Sequence, residues 1–468
     1  MTVFSVIGTA DSMWELLLRA VTLRDYNTRI VLGGTTLLGI SSGLVGTFLV
    51  LRKRALAADV VSHSALPGIA IAFLVAERVS PGSGRSSGIL LLGAFASGLL
   101  GMGMTMCIRR WTRIKDDAAL AIVLGLFFGL GMALFTVVQR TKTGNAAGLQ
   151  HFIFGKAATL VAADVWLIAQ VSAVVTLLCC GLFKELSLLC FDEEFAAARG
   201  YRTLLLDWVL TLLAVTVTLI GLQSVGLLLV VALLLIPPTA ARFWTHHLKR
   251  MALLSAMIGG LSCGVGVLLS AAFPRLAAGA VIVLSGSVMF VISLTFGRAR
   301  GLWPRWKSQR DFEQRIGRSD LLRACFEYLE PLFKAKDVSA ENLQTATIPA
   351  ARLLQMGNWP EGHFRRLTTS AQKSGLLHRS PDGWQLTTDG AIEAMHVTRQ
   401  HRLWEIYLLT QTDLDPRLVD RGADGIEHVL DADQLAHLEQ LLSAESGDGI
   451  PPSPHYIAGT ANSHEPEA

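Results

Sequence analysis

Between Asn27 and Phe296 the chain repeats one pattern, long apolar runs alternating with short polar loops. A run of about 20 apolar residues is the length that crosses a bilayer as a helix, because lipid offers no water to bond the backbone. Nine runs fit: 29–51, 57–76, 88–108, 118–138, 162–183, 204–221, 224–241, 251–273 and 277–297. The sixth and seventh are divided only by Gly221, Leu222 and Gln223. Small residues inside the runs suit helices that pack closely in a membrane. After Arg298 the charge returns, so the 51% hydrophobic content of the 468 residues averages two unlike parts. The predicted fold class is mainly α: a polytopic helical membrane bundle, then a soluble portion.

Four loops carry clustered Lys and Arg, at 52–54, 109–115, 184–202 and 242–250. With nine spans they fall on one side, together with Arg298, Arg300 and the soluble portion. The positive-inside rule makes that side cytoplasmic and the N-terminus external. Arg19, Arg24 and Arg29 run mildly against it. Residues 1–22 hold Asp11, Glu15 and only a short apolar patch, which reads as an amphipathic surface helix, not a cleavable signal peptide. The six cysteines form no CxxC pair, and they read as small packing residues. A net charge of +4 gives no argument for nucleic-acid binding by itself.

The second run places Asp59 and His63 four apart, on one helical face. Ionisable groups in an apolar span are costly unless they pair or face a wet pathway. A carboxylate with an imidazole suits Mn²⁺, Fe²⁺ or Zn²⁺. The spacing is equally served by an Asp59–His63 pair that only holds helices together. The surrounding string RALAADVVSHSALPG (54–68) resembles the second-helix signature of the manganese/zinc/iron ABC-type permease family. Further matches lie at 113–117, at 149–156 around His151 and Gly155, at 191–200, and at 225–242 with Pro237 and Pro238. The resemblance covers about residues 15–297. It implies that Asp59 and His63 line the cation path. It also implies that the segment with Phe191, Asp192, Glu193, Glu194, Phe195 and Gly200 is the short helix docking on an ATPase. Phe191 and Phe195, four apart and flanked by charge, offer a suitable apolar knob. No GxxxxGK[ST] phosphate loop occurs, so ATP is hydrolysed by a separate subunit and this chain is no enzyme.

Residues 299–318 read as a basic linker suited to anionic headgroups or to a stop-transfer flank. From Asp320 the pattern is helical, then winged-helix-like. One short helix is expected within 340–356, a second within 360–374, and a hairpin with an Asp382-Gly383 turn within 375–387. Arg365, Arg366 and Lys373 lie on or near the candidate recognition helix and could meet DNA; winged helices also serve as protein-interaction modules. Further on, His401 and Glu405 share a helical face, as do Asp424 and His428, with Asp420 and Glu427 beside them. Carboxylates with imidazole and no thiol favour Mn²⁺ or Fe²⁺ over structural zinc. Residues from about 318 resemble the diphtheria-toxin-repressor family of metal-dependent regulators. That resemblance puts the first-helix metal ligand on Asp320 and adds His401, Glu405, Asp424, Glu427 and His428. It departs at Arg323, where manganese-responsive members carry a second acid, and at Asp420, where iron-responsive members place a His.

The domains are therefore read as 1–298 membrane permease, 299–318 linker, 319–388 winged helix-turn-helix and 389–468 helical metal-binding and dimerisation domain with tail. The expected function is the permease subunit of a bacterial inner-membrane ABC importer for Mn²⁺ or Fe²⁺, with Zn²⁺ possible, fused to a metal-responsive regulator. The expected partners are an ABC ATPase subunit, an extracytoplasmic metal-binding protein, a second permease copy or paralogue, the lipid bilayer and operator DNA. Two alternatives stand beside it: a tail that gates transport without DNA, and a zinc importer. A proton-coupled carrier without an ATPase is disfavoured by the docking segment.

Overall fold

The computed structural model describes residues 25–54, 56–79, 87–140, 160–273, 276–333 and 339–411. Two compact units part between Arg305 and Trp306. The first holds α1 (Tyr26–Leu51), α2 (Ala57–Val79), α3 (Ser87–Trp111), α4 (Asp116–Arg140) and α5 (Ala162–Gly181). The short α6 (Phe183–Phe191) and α7 (Glu193–Ala198) follow, then α8 (Thr203–Val225), α9 (Leu227–Arg242), α10 (Leu248–Ala272) and α11 (Ala278–Phe296). Among the described residues, eight helices are long and apolar enough to cross a membrane. The seventh expected span is α9. Its 16 residues make a helix about 24 Å long, shorter than the ~30 Å of hydrocarbon.

The division between the sixth and seventh spans differs from the expected Gly221–Gln223 turn. Those three residues are helical, and the break falls at Gly226, with φ +92°. A lone glycine in that conformation ends a helix more sharply than a Gly-Leu-Gln run, which is compatible with helix.

α1, α2 and α8 are the most enclosed spans, and α4, α5 and α11 the most exposed. Close packing at the centre depends on glycine. A Cβ on Gly39 would lie 2.5 Å from the carbonyl oxygen of Gly259, and one on Gly259 would collide with that of Gly39. The same approach lets Ser255 Oγ of α10 donate to Gly43 O of α1 at 2.6 Å. Between α2 and α3, Gly68 faces Gly93, and Ser97 Oγ donates to Ser64 O at 2.6 Å. With no hydrophobic drive between helices in lipid, such fits and bonds are what select the neighbours.

The second unit contains most of α12 (Leu302–Leu329), then α13 (Ala340–Leu343), α14 (Ala350–Gly357), α15 (Glu361–Lys373), the strands β1 (Leu377–Ser380) and β2 (Gly383–Leu386), and α16 (Thr388–Gln411). The segment 299–318, read as a basic linker, is helical from Leu302 onward, part of α12. One expectation is corrected. The single helix expected within 340–356 is two, split at 344–349 because Ile348 leaves the helix to bridge Trp384. The order of helices and hairpin is otherwise as read, with the two-residue loop at Pro381-Asp382 in place of the expected Asp382-Gly383 turn. α14 ends at Asn358 in the left-handed region, α15 follows, and β1 pairs antiparallel with β2 from Leu377↔Leu386 to Ser380↔Gly383. Pro381 and Asp382 form the loop itself. Gly383 opens β2 at φ +155°, where a Cβ would strike Ile348 O. The core gathers Leu321, Phe326, Leu353, Leu367, Leu377 and Leu386. Burial pushes the Cys325 thiol up to about 12, which keeps it protonated and inert.

Gly259→Leu should separate α10 from α1. We expect a loss of about 1–3 kcal/mol, the scale of overpacked cores, read as a lower midpoint of thermal unfolding in detergent while the exposed Gly129→Ala changes little.

Candidate functional site

The first candidate site lies on α2. Asp59 falls in its first turn, where a carboxylate is favoured by the helix dipole. His63 stands one turn on, with Nε2 3.3 Å from Asp59 Oδ1. Both side chains are partly enclosed, 20% exposed for His63 and 31% for Asp59. Phe128 of α4 meets the imidazole edge-on at 5.0 Å. The other ring nitrogen, Nδ1, is buried and has no hydrogen-bond partner among the described residues. Such an atom is expensive to leave alone. A carboxylate on one imidazole nitrogen fixes the ring and raises the basicity of the other, the arrangement that prepares a His to ligate a metal. Pro67, inside the same helix, lies where it would crowd a side chain at Gly131 of α4, its Cδ 3.1 Å from the position of a Cβ there.

A second polar assembly lies at the ends of α1 and α2. Arg54 Nη2 donates to Asp207 Oδ2 of α8 at 2.7 Å, and Arg52 Nη2 reaches Asp207 Oδ1 at 3.3 Å. Arg52 Nη1 donates to Glu193 Oε2 of α7 at 2.9 Å and to Leu189 O of α6 at 3.0 Å. Burial holds the Arg54 guanidinium below its ordinary value, against the pull of Asp207. Removing one partner of such a buried pair typically costs about 3–5 kcal/mol. Sequence reasoning misses Asp207 as part of this assembly, since an acid at the edge of an apolar run reads as a boundary residue. Its two arginine partners lie more than 150 positions away in the chain.

Of the expected docking residues, Asp192 caps α7, accepting from Phe195 N–H at 2.8 Å. Phe191 is 68% exposed and Phe195 45%, an apolar pair presented to the outside. Gly200, at φ +85°, turns the chain toward α8. Glu194 is exposed, and Glu193 is held by Arg52. The 149–156 motif lies outside the described residues, as does 1–24.

In the second unit, His401 and Glu405 of α16 are both buried, with His401 Nε2 3.5 Å from Glu405 Oε1. Arg323 of α12 stands against the same ring, its Nη1 2.6 Å from Nδ1 and 3.0 Å from Nε2. Asp320, one turn earlier, is half-buried. Arg402 makes a bidentate pair with Glu330 at 2.8 and 2.6 Å. A guanidinium against the imidazole nitrogens occupies the side from which a cation would draw electron pairs. His401, Glu405 and Arg323 in this arrangement therefore do not fit a bound metal, and the described residues contain no cluster of three metal-ligating side chains. Asp420, Asp424, Glu427 and His428 lie outside the described residues. Arg365, Arg366 and Lys373 are all exposed on α15, with Arg379 exposed on the wing.

An enclosed multi-span bundle with an acid–imidazole pair on a central helix defines a membrane permease with an intramembrane polar site. Residues 25–297 match the model of the ABC 3 transport family. The chain belongs to that family and is the membrane subunit of an ABC-type transporter. Residues 387–447 match the iron dependent repressor, metal binding and dimerisation domain. A manganese transport system membrane protein of Bacillus subtilis is 35% identical over 86% of this chain and 88% of its own length. A zinc transport system membrane protein of Treponema pallidum is 43% identical over 61% of this chain and 94% of its own. A solved structure of PsaBC from Streptococcus pneumoniae in complex with Fab matches 64% of this chain and 99% of its own at 28% identity, with a TM-score of 0.53.

Arg323→Glu should replace the guanidinium by a carboxylate beside His401. We expect Mn²⁺ binding by the full chain to tighten by on the order of 10–100-fold, the scale of one supporting group, measured by electron paramagnetic resonance titration in detergent; no change would mean Arg323 does not oppose a cation there.

Proposed function

We propose that this chain imports divalent transition-metal ions, Mn²⁺ or Fe²⁺ foremost and Zn²⁺ next, with Asp59 and His63 as transient ligands in the path. The observation that carries this reading is His63, whose Nδ1 is buried and unpartnered while Nε2 faces Asp59. A carboxylate and an imidazole are adequate for a borderline cation and too few to trap it. That balance suits a transient site. Ions must bind favourably enough to enter and weakly enough to leave. The relatives named for manganese and for zinc support a divalent cargo.

The engine is a separate ABC ATPase that docks on 191–200, where Phe191 and Phe195 supply the apolar contact. An extracytoplasmic metal-binding protein delivers the ion, and a second permease copy or paralogue completes the path. The soluble unit lies in the cytoplasm, on the side of the basic loops. We read it as a metal-responsive regulator that dimerises and represses uptake genes. The exposed Arg365, Arg366 and Lys373 on the helix preceding the wing favour DNA over a purely DNA-independent gate. Its cation would be held by the 420–428 cluster with Asp320, His401 and Glu405, which requires Arg323 to withdraw from His401.

Asp59→Ala and His63→Ala should each lower Mn²⁺, Fe²⁺ or Zn²⁺ uptake by at least about tenfold, the size of one ligand's differential contribution, in proteoliposomes holding the permease and its ATPase. Unchanged uptake would sink the path assignment, and the ion with the largest loss identifies the cargo. Arg365→Glu with Arg366→Glu should abolish a metal-dependent shift of operator DNA by the full chain while leaving uptake intact; persistence of the shift would move DNA binding elsewhere.

A further inference from the structure

The ion network around Asp207 joins three elements that the path and docking assignments treat separately. Its outer end is Glu193, half-exposed at the first position of α7 in the docking segment. Its inner end is Arg54, buried, at the foot of the helix that carries Asp59 and His63. Arg54 is also fixed through its backbone. Its N–H donates to Leu49 O of α1 at 2.9 Å, and its carbonyl accepts from Ala57 N–H at the head of α2 at 3.1 Å. Lys53 beside it takes φ +57°, a conformation uncommon for a residue with a side chain, so the turn between α1 and α2 is tightly shaped.

Two observations separate this arrangement from an ordinary surface pairing. One carboxylate serves two guanidiniums, one on each oxygen, and the Arg52 fork divides between Asp207, Glu193 and the Leu189 carbonyl. Arg52 cannot follow Glu193 without drawing on Asp207, and Asp207 cannot move without drawing on Arg54. Planar forks of this kind hold direction as well as distance.

We infer that Asp207 is a positioning residue that couples the docking segment to the metal-path helix, through Glu193, Arg52, Asp207 and Arg54 in series. A shift of α7 on the ATPase is thereby delivered to Arg54, five residues before Asp59 and bonded through its carbonyl to the head of α2. The inference rests on the reading of 191–200 as the ATPase dock.

The test uses the whole transporter, permease with its ATPase, in proteoliposomes. Arg52→Gln removes the guanidinium in the middle of the series and leaves the buried Arg54–Asp207 pair in place. We expect it to retain ATPase co-purification, thermal midpoint and ATP hydrolysis while Mn²⁺ taken up per ATP falls about tenfold, within the range of ordinary coupling free energies. Arg52→Lys, which keeps a cation between the two acids, should restore part of that ratio, and Asp207→Asn should lower it further if it folds. Wild-type uptake per ATP in Arg52→Gln would overturn the inference. So would a parallel loss of midpoint, hydrolysis and uptake, which marks a structural role, or loss of the ATPase from that variant, which places Arg52 in the docking contact itself. Failure of the docking reading shows separately, as Phe195→Asp that still co-purifies the ATPase.

Discussion

Backbone amides in hydrocarbon have nothing to bond but one another, and the architecture of the membrane unit follows from that constraint. Once each span is a helix, its hydroxyls are also drawn inward: Thr35, Thr47, Thr105 and Thr211 each donate to the carbonyl four residues back. Little polar capacity is left for joining helices. Two of the bonds that cross between them, Ser255 to Gly43 and Ser97 to Ser64, form where glycine lets backbones approach. Among the buried side-chain atoms of the spans without a hydrogen-bond partner in the described residues, Ser42 Oγ, Ser64 Oγ, Thr218 Oγ1 and His63 Nδ1, the imidazole nitrogen is the one suited to a transition-metal cation.

Charge obeys the same economy. Ion pairs of the membrane unit sit at helix ends, where Arg109 meets Asp116 and where Arg52 and Arg54 meet Asp207 and Glu193. Asp59 and His63 pair from the first turn of α2 into its second. In the soluble unit a different balance holds. There Arg323 fills the place of an acid beside His401, so the domain carries its own cation where its resemblance to metal-dependent regulators would place an ion. The tail and the permease thus differ in how ready each is for metal.

Much of this was legible in the sequence because the relevant signals are local. The apolar runs located the spans, the i,i+4 spacing brought Asp59 to His63 and His401 to Glu405, and the turn chemistry located the wing. What was not legible depends on distance along the chain. Asp207 meets arginines far upstream, and Arg323 reaches His401 across 78 positions; no periodicity reports such contacts. The break between the sixth and seventh spans was misplaced for a local reason, because Gly221 and Gly226 are both credible turns and only backbone geometry separates them. The single helix expected within 340–356 is split in two at the Ile348–Trp384 bridge, a tertiary pairing that overrode helical propensity.

Pro67 lies four residues beyond His63 inside α2. Proline has no N–H, so the helix cannot close its usual bond onto the carbonyl of residue 63. The residue whose imidazole keeps one nitrogen unspent therefore also has a main-chain oxygen released from the ladder. Imidazole and carbonyl come from a single position, one as side chain and one as backbone. An alanine scan deletes only the first. The oxygen belongs to the peptide itself and answers to the proline one turn away, which makes the RALAADVVSHSALPG string a unit whose last residues bear on its middle.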